Sequence, residues 1–151
     1  MAEKHPHPEH DAESQEQLIT WVRPSFTDER DELHDQAERL GIDLHALINA
    51  CEHGTLEPLD DVTWETIENT DSNGLHASHS REDIRAMIVR YGRPPERADD
   101  LFSGMTVGNP IPAPIVLFRT QQPPYLIAGN TRLCVARALR VRPTIFAVRM
   151  P

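Results

Sequence analysis

Gly129, Asn130, Thr131 and Arg132 put a turn-permitting backbone, a carboxamide, a hydroxyl and a guanidinium into four consecutive positions. An apolar run, Tyr125 to Ala128, precedes them, and apolar residues recur afterwards at helical spacing as Leu133, Ala136 and Leu139. The pattern predicts a strand, a tight turn and a helix start. A helix start has unpaired amides and a partial positive charge, so this stretch can bind an anion such as phosphate. Gly129 either admits the close approach of a phosphate or serves only the geometry of the turn. Thr131 can donate its hydroxyl to a phosphate or act as an N-cap. Arg132 offers a fork that matches phosphate, or it pairs with an acidic residue from the N-terminal part. Arg119, after the preceding strand, and Arg137, on the helix, are further cations for such a site.

Phosphoryl transfer or hydrolysis needs a base or a carboxylate for a metal as well. Residues 101–151 contain six arginines and no Asp or Glu, a charge of +6. Residues 1–100 hold all 24 acidic residues against 9 basic ones, a charge of −15. Any carboxylate must therefore come from the N-terminal part. Asp61, Glu65 and Glu68 are the catalytic candidates, within an acidic cluster that runs from Asp60 to Asp71. Each of these also reads as part of a solvated face. The two parts can equally pack together and neutralise each other. No metal ligands are predicted, because His5, His7 and His10, and the pair His76 and His79, lack the partners of a closed tetrahedral site.

The elements that must position these residues follow from periodicity and caps. Residues 1–17 are polar and predicted to be a disordered tail. Residues 17–26 carry Leu18, Ile19, Trp21 and Val22 and predict a short helical piece that breaks near Pro24. Thr27 predicts the cap of a helix ending at Gly41. Asp43 predicts the cap of a second helix through Cys51, closed by Gly54. Asp61 or Thr63 would cap a short helix with Trp64 and Ile67 inward. Ser80 would cap a helix with Ile84, Met87, Ile88 and Tyr91 inward, stopped by Gly92. A proline-bearing turn over 93–98 and one helical turn at 101–105 follow. Strands are expected at 115–118, 125–128 and 144–148, with a helix over 131–139. The class is α+β, with a helical region, 18–104, packed on a small mixed sheet, 105–151, in one compact domain.

Composition excludes several classes. There is no run of apolar residues long enough to span a membrane, and the N-terminus lacks a secretory core segment. Two cysteines far apart in sequence, Cys51 and Cys134, point to a reducing cytoplasm rather than a disulfide scaffold. A net charge of −9 disfavours extended binding to duplex DNA. The second predicted helix has Asp43, His45, Asn49, Glu52 and His53 outward and no Arg or Lys, unlike a DNA-reading helix.

P-I-V-L-F (114–118), Y-L-I-A-G-N-T-R-L (125–133), A-R-A-L (136–139) and P-T-I-F-A-V (143–148) resemble the ParB/sulfiredoxin fold. Its members share a strand ending in a G-x-x-R turn, a helix with small residues toward the sheet, and a further strand. The resemblance covers about residues 105–150. The preceding helices, with Trp64–Ser72, resemble uncharacterised phage-type proteins with a ParB-like nuclease domain. The resemblance implies that Gly129, Asn130, Thr131 and Arg132, with Arg119, bind the phosphates of a nucleotide, ATP or CTP, with Mg²⁺. Asn130 stands where sulfiredoxins carry their cysteine, so their reaction is not implied. One arginine in the turn, and no further partition motif, separates the chain from chromosome-partition proteins. Two functions follow as expectations. One is an NTP-dependent phosphotransferase or NTP hydrolase. The other is a non-catalytic nucleotide- or nucleic-acid-binding module whose acidic helices meet a protein partner. A DNA nuclease ranks behind both, since no acidic metal cluster surrounds the basic third.

Overall fold

Alternating side chains decide which layer each strand faces, and the layers here are built on that alternation. The computed structural model describes residues 19–67, 80–90 and 92–151. Its elements run β1 (Thr20–Val22), α1 (Arg30–Leu40), α2 (Leu44–Glu52), β2 (Thr55–Pro58), α3 (Asp61–Thr66) and α4 (Arg81–Arg90). They continue with α5 (Glu96–Val107), β3 (Pro110–Pro112), β4 (Ile115–Arg119), β5 (Tyr125–Ala128), α6 (Asn130–Ala138) and β6 (Thr144–Met150). Among the described residues the class is α+β. A mixed four-stranded sheet has the order β2-β6-β4-β5, and β1 pairs with β3 in a small parallel sheet. β6 is antiparallel to β2 and parallel to β4, while β5 is antiparallel to β4.

One face of the sheet presents Ile115, Leu117, Ile127, Phe146 and Val148 to Leu33 and Ala37 of α1 and Leu47 and Cys51 of α2. The intervening residues, Val116, Leu126, Ile145 and Ala147, face the other way and meet Leu133 of α6, with Trp64 and Ile67 from α3 and its end. Successive strand residues point to opposite faces, which produces this division. A further layer covers α6 from outside. Ile84, Met87 and Ile88 of α4, with Phe102 and Met105 of α5, pack on Cys134 and Val135. α6 is thus enclosed by the sheet and by the α4–α5 pair, and Leu133 to Ala136 are all buried.

Several elements match the sequence expectations and several do not. Gly41 closes α1 in the left-handed region at φ 69°, and the Asp43 carboxylate accepts from the Ala46 amide at 3.0 Å to cap α2. Ser80 and Asp83 cap α4 reciprocally: each backbone N–H donates to the other's side chain, at 2.8 and 3.2 Å. The helical piece expected over 17–26 is instead strand β1, because Thr20, Trp21 and Val22 find a parallel partner in β3. The cap expected at Thr27 falls later, at Glu29, and α1 begins at Arg30. Asp60, rather than Asp61 or Thr63, caps α3 by accepting from the Thr63 amide at 2.7 Å. The expected proline-bearing turn holds for 93–95, but 96–98 and the single turn expected at 101–105 belong to one helix, α5, of 12 residues. Pro95 stands at its N-cap position, where proline's missing N–H costs nothing. The expected tail, 1–17, the loop with His76 and His79, and Tyr91 lie outside the described residues.

Candidate functional site

Gly129 turns the chain from β5 into α6 at φ 97° and ψ 26°, a conformation that L side chains rarely adopt. A Cβ there would lie 2.8 Å from the Pro114 Cα. The glycine is thus required by the backbone that runs between β3 and β4, whatever else it admits. α6 begins one residue earlier than expected, so Thr131 is its second residue and not its cap. The Leu133 amide takes the Gly129 carbonyl at 2.9 Å. The amides that precede that first bond point out of the start of the helix, as in any α-helix. Gly129 supplies no side-chain cap for them.

This turn forms part of a cleft of about 1190 Å³ between α1, the α4–α5 connection and α6. Arg132 folds back across the turn. Its Nη1 donates to the Pro112 carbonyl at 2.9 Å, and its Nη2 donates to Glu29 Oε1 at 2.6 Å. Both side chains are largely buried, with 13% of Arg132 and 19% of Glu29 exposed. Arg93 and Arg97 line the same cleft from the α4–α5 connection and the start of α5. Partial loss of solvent lowers the Arg97 pKa, and the charges of Arg93 and Arg132 lower it further, against an opposite pull from Glu29. Arg97 thus lies in the field of Arg93 and Arg132, with Glu29 opposing them.

The remaining charged lining is acidic. Asp28, Glu29, Asp31 and Glu32 come from the turn before α1 and its first helical turn, and Glu96 and Asp100 from α5. Glu32 is fixed in place: the Gln36 amide donates to its Oε2 at 2.9 Å, and the Tyr125 hydroxyl donates to Gln36 Oε1 at 2.7 Å. Gln36, 4% exposed, joins the last strand before the turn to the acidic lining. Among the described residues, no three His, Cys, Asp or Glu side chains gather into a group that could hold a metal ion.

The cleft brings together Gly129, Asn130, Thr131 and Arg132. The Asn130 carboxamide is turned inward, its Nδ2 3.9 Å from Met87 Sδ and its Oδ1 3.9 Å from Cys134 Sγ. Arg119 is not part of the cleft. It ends β4 four residues beyond Ile115, the neighbour of Ala128, and so stands about 13 Å along the strand from the turn. Arg137 holds α3 instead, donating to the Trp64 carbonyl at 3.1 Å with its guanidinium 5.2 Å from the Trp64 ring. Asp61 pairs with Arg142 at the foot of α3, is 83% exposed, and does not line the cleft. The Glu65 side chain and the whole of Glu68 lie outside the described residues. Of the carboxylates that line the cleft with the turn, Glu29 reads in the sequence only as a first-turn acid of a helix, and Glu32 carries no signal of its own. Nothing in the spacing ties Arg93 or Arg97 to residue 132.

Both cysteines are buried and unpaired by disulfide. Burial pushes the Cys51 thiol up to about 11, so it remains a neutral core group. No helix among the described residues is long and apolar enough to cross a membrane. Comparison with protein-family models, with curated proteins and with solved structures finds no match.

Proposed function

We propose that this protein binds the phosphate chain of a nucleoside triphosphate, ATP or CTP, at the Gly129–Arg132 turn, in the manner of the ParB/sulfiredoxin fold that its C-terminal third resembles. The observation that carries the reading is that Arg93, Arg97 and Arg132 all line the cleft that the start of α6 bounds. Guanidinium forks and the amides of a helix start are the donors that phosphate oxygens need. The six carboxylates lining the cleft outnumber the three guanidinia, so a bare polyanion meets repulsion there. A triphosphate that arrives as its Mg²⁺ complex carries both charges. Mg²⁺ is held by phosphates and one or two carboxylates rather than by a dedicated cage, and the carboxylates that line the cleft offer such ligands.

The fixed carboxylate of Glu32 favours catalysis over mere binding as a second step of the same reading. Gln36 orients one of its oxygens and leaves the other for an acceptor hydroxyl or an attacking water. Under this reading the base comes from α1 and not from the Asp60–Asp71 cluster.

The test is thermal unfolding of the full chain with ATP, CTP and GTP, with and without Mg²⁺. One Mg²⁺–nucleotide at a hundred times its dissociation constant stabilises by about 2.7 kcal/mol. Arg97→Ala, at an exposed position, abolishes that gain without disturbing the fold. No stabilisation by any nucleotide overturns the reading. Release of inorganic phosphate, lost in Glu32→Gln while binding persists, separates an enzyme from a binding module.

A further inference from the structure

We infer that the Glu29 carboxylate holds the position of one phosphate group of the ligand, and that the site therefore selects a polyphosphate chain over a single phosphate. This rests on the phosphate reading above and specifies the ligand class for that site. Arg132 is already engaged on both sides, by the Pro112 carbonyl and by Glu29. The Nη2 hydrogen now donated to Glu29 becomes available to a phosphate oxygen only when that carboxylate moves away. The Nη1 bond to Pro112 does not involve Glu29, so it keeps the guanidinium aimed into the cleft once the carboxylate leaves.

Glu29 can leave without breaking backbone structure. Its side chain caps nothing, and its own N–H and C=O are bonded to the Ser25 carbonyl at 3.0 Å and the Leu33 amide at 2.9 Å. It occupies the N-cap position of α1, where a released carboxylate still sits in the favourable field of that helix. The exchange itself yields little, since one anion replaces another on Arg132. An orthophosphate gains no more than this swap. A di- or triphosphate reaches onward to Arg97 and Arg93, which share the field of Glu29 and Arg132, and gains contacts that Glu29 does not make. Glu29 is thus an internal competitor that sets the threshold for binding.

Calorimetric titration of the full chain with Mg²⁺–ATP and with inorganic phosphate tests the inference. The wild type is expected to bind Mg²⁺–ATP at least 100-fold more tightly than phosphate. Glu29→Gln, which removes the competing charge, is expected to bind Mg²⁺–ATP about tenfold more tightly than the wild type and to bind phosphate measurably. Glu29→Asp, one methylene short of Arg132, is expected to bind more tightly than wild type as well, and replaces Glu29→Gln if ligand-free unfolding shows that variant to be misfolded. Wild-type binding with no gain in either variant overturns the role of Glu29 and leaves the phosphate site standing. Absence of Mg²⁺–ATP binding in the wild type and both variants overturns the site itself, and the inference with it.

Discussion

Glu29 and Arg132 stand 103 positions apart in the chain and 2.6 Å apart in space. The contact joins the acidic part of the sequence to its basic end, and both side chains are mostly withdrawn from water. Loss of the guanidinium leaves a partly buried carboxylate and the Pro112 carbonyl without their donor. Arg132→Ala is expected to lower unfolding stability by about 1–3 kcal/mol. Glu29→Gln keeps a neutral acceptor on Arg132 and costs less. Urea unfolding of the two variants orders them, and equal losses would contradict the asymmetry.

Tyr125 and Gln36 form the second long connection, from the sheet to α1. Tyr125→Phe strips the hydroxyl from a buried carboxamide oxygen. The expected cost is about 1–2 kcal/mol in chemical denaturation. Glu32 loses its anchor at one remove, so phosphate release, where present, falls more than Mg²⁺–nucleotide affinity does. A variant that binds and turns over like the wild type would show Gln36 to be held without the tyrosine.

Gly129→Ala forces a side chain into the left-handed region and against Pro114. Strain and contact together are expected to cost at least about 2 kcal/mol. Gly41→Ala is the control. It has a similar φ of 69°, but an added Cβ has no heavy atom within 4 Å, so only the conformational part is lost. Melting temperatures of the two variants separate close approach from dihedral strain, and equal shifts would assign no role to Pro114.

Acid stability has one identifiable contributor in the sheet. Two hydrogen bonds from Arg149, at 2.7 and 2.9 Å, and one from the Thr55 hydroxyl hold Glu57 down from the ordinary 4.5 to about 2. The folded value lies below the unfolded one, so the stabilisation is complete above pH 4.5 and disappears as pH falls toward 2. Both partners are partly solvated, which limits the effect to about 1 kcal/mol or less. Wild type and Glu57→Gln should differ most near neutrality and converge at the acid end of a pH series of denaturation curves.

The strand–turn–helix unit is legible in the sequence because three independent signals coincide there: an apolar run, a glycine, and apolar spacing of 3.6. α2 and α4 are legible through Asp43 and Ser80 for the same reason. β2 is not, since Thr55–Pro58 is short, largely exposed and ends in proline; only its pairing with β6 makes it a strand. β1 escapes likewise, because three residues draw their structure from β3. The site is half legible. The polar turn of the candidate site announces itself as G-N-T-R, whereas the carboxylates beside it are chosen by tertiary folding. Proximity along the chain to a polar loop favours Asp61, yet the return of α1 over β5 brings Glu29 and Glu32.

The position of β6 has a consequence for how the chain acquires its structure. It is the last strand in sequence and an inner strand of the sheet, flanked by β2 and β4. Among the described residues, β2 has no strand partner until residues 144–147 emerge from synthesis, and β4 has only its hairpin with β5. Such long-range pairing is slow, and it leaves strand edges bare while the helices around them have already formed. The interval before β6 inserts is when this protein is most exposed to pairing with its neighbours, and a variant that weakens β6 would reveal itself in yield before it does so in melting temperature.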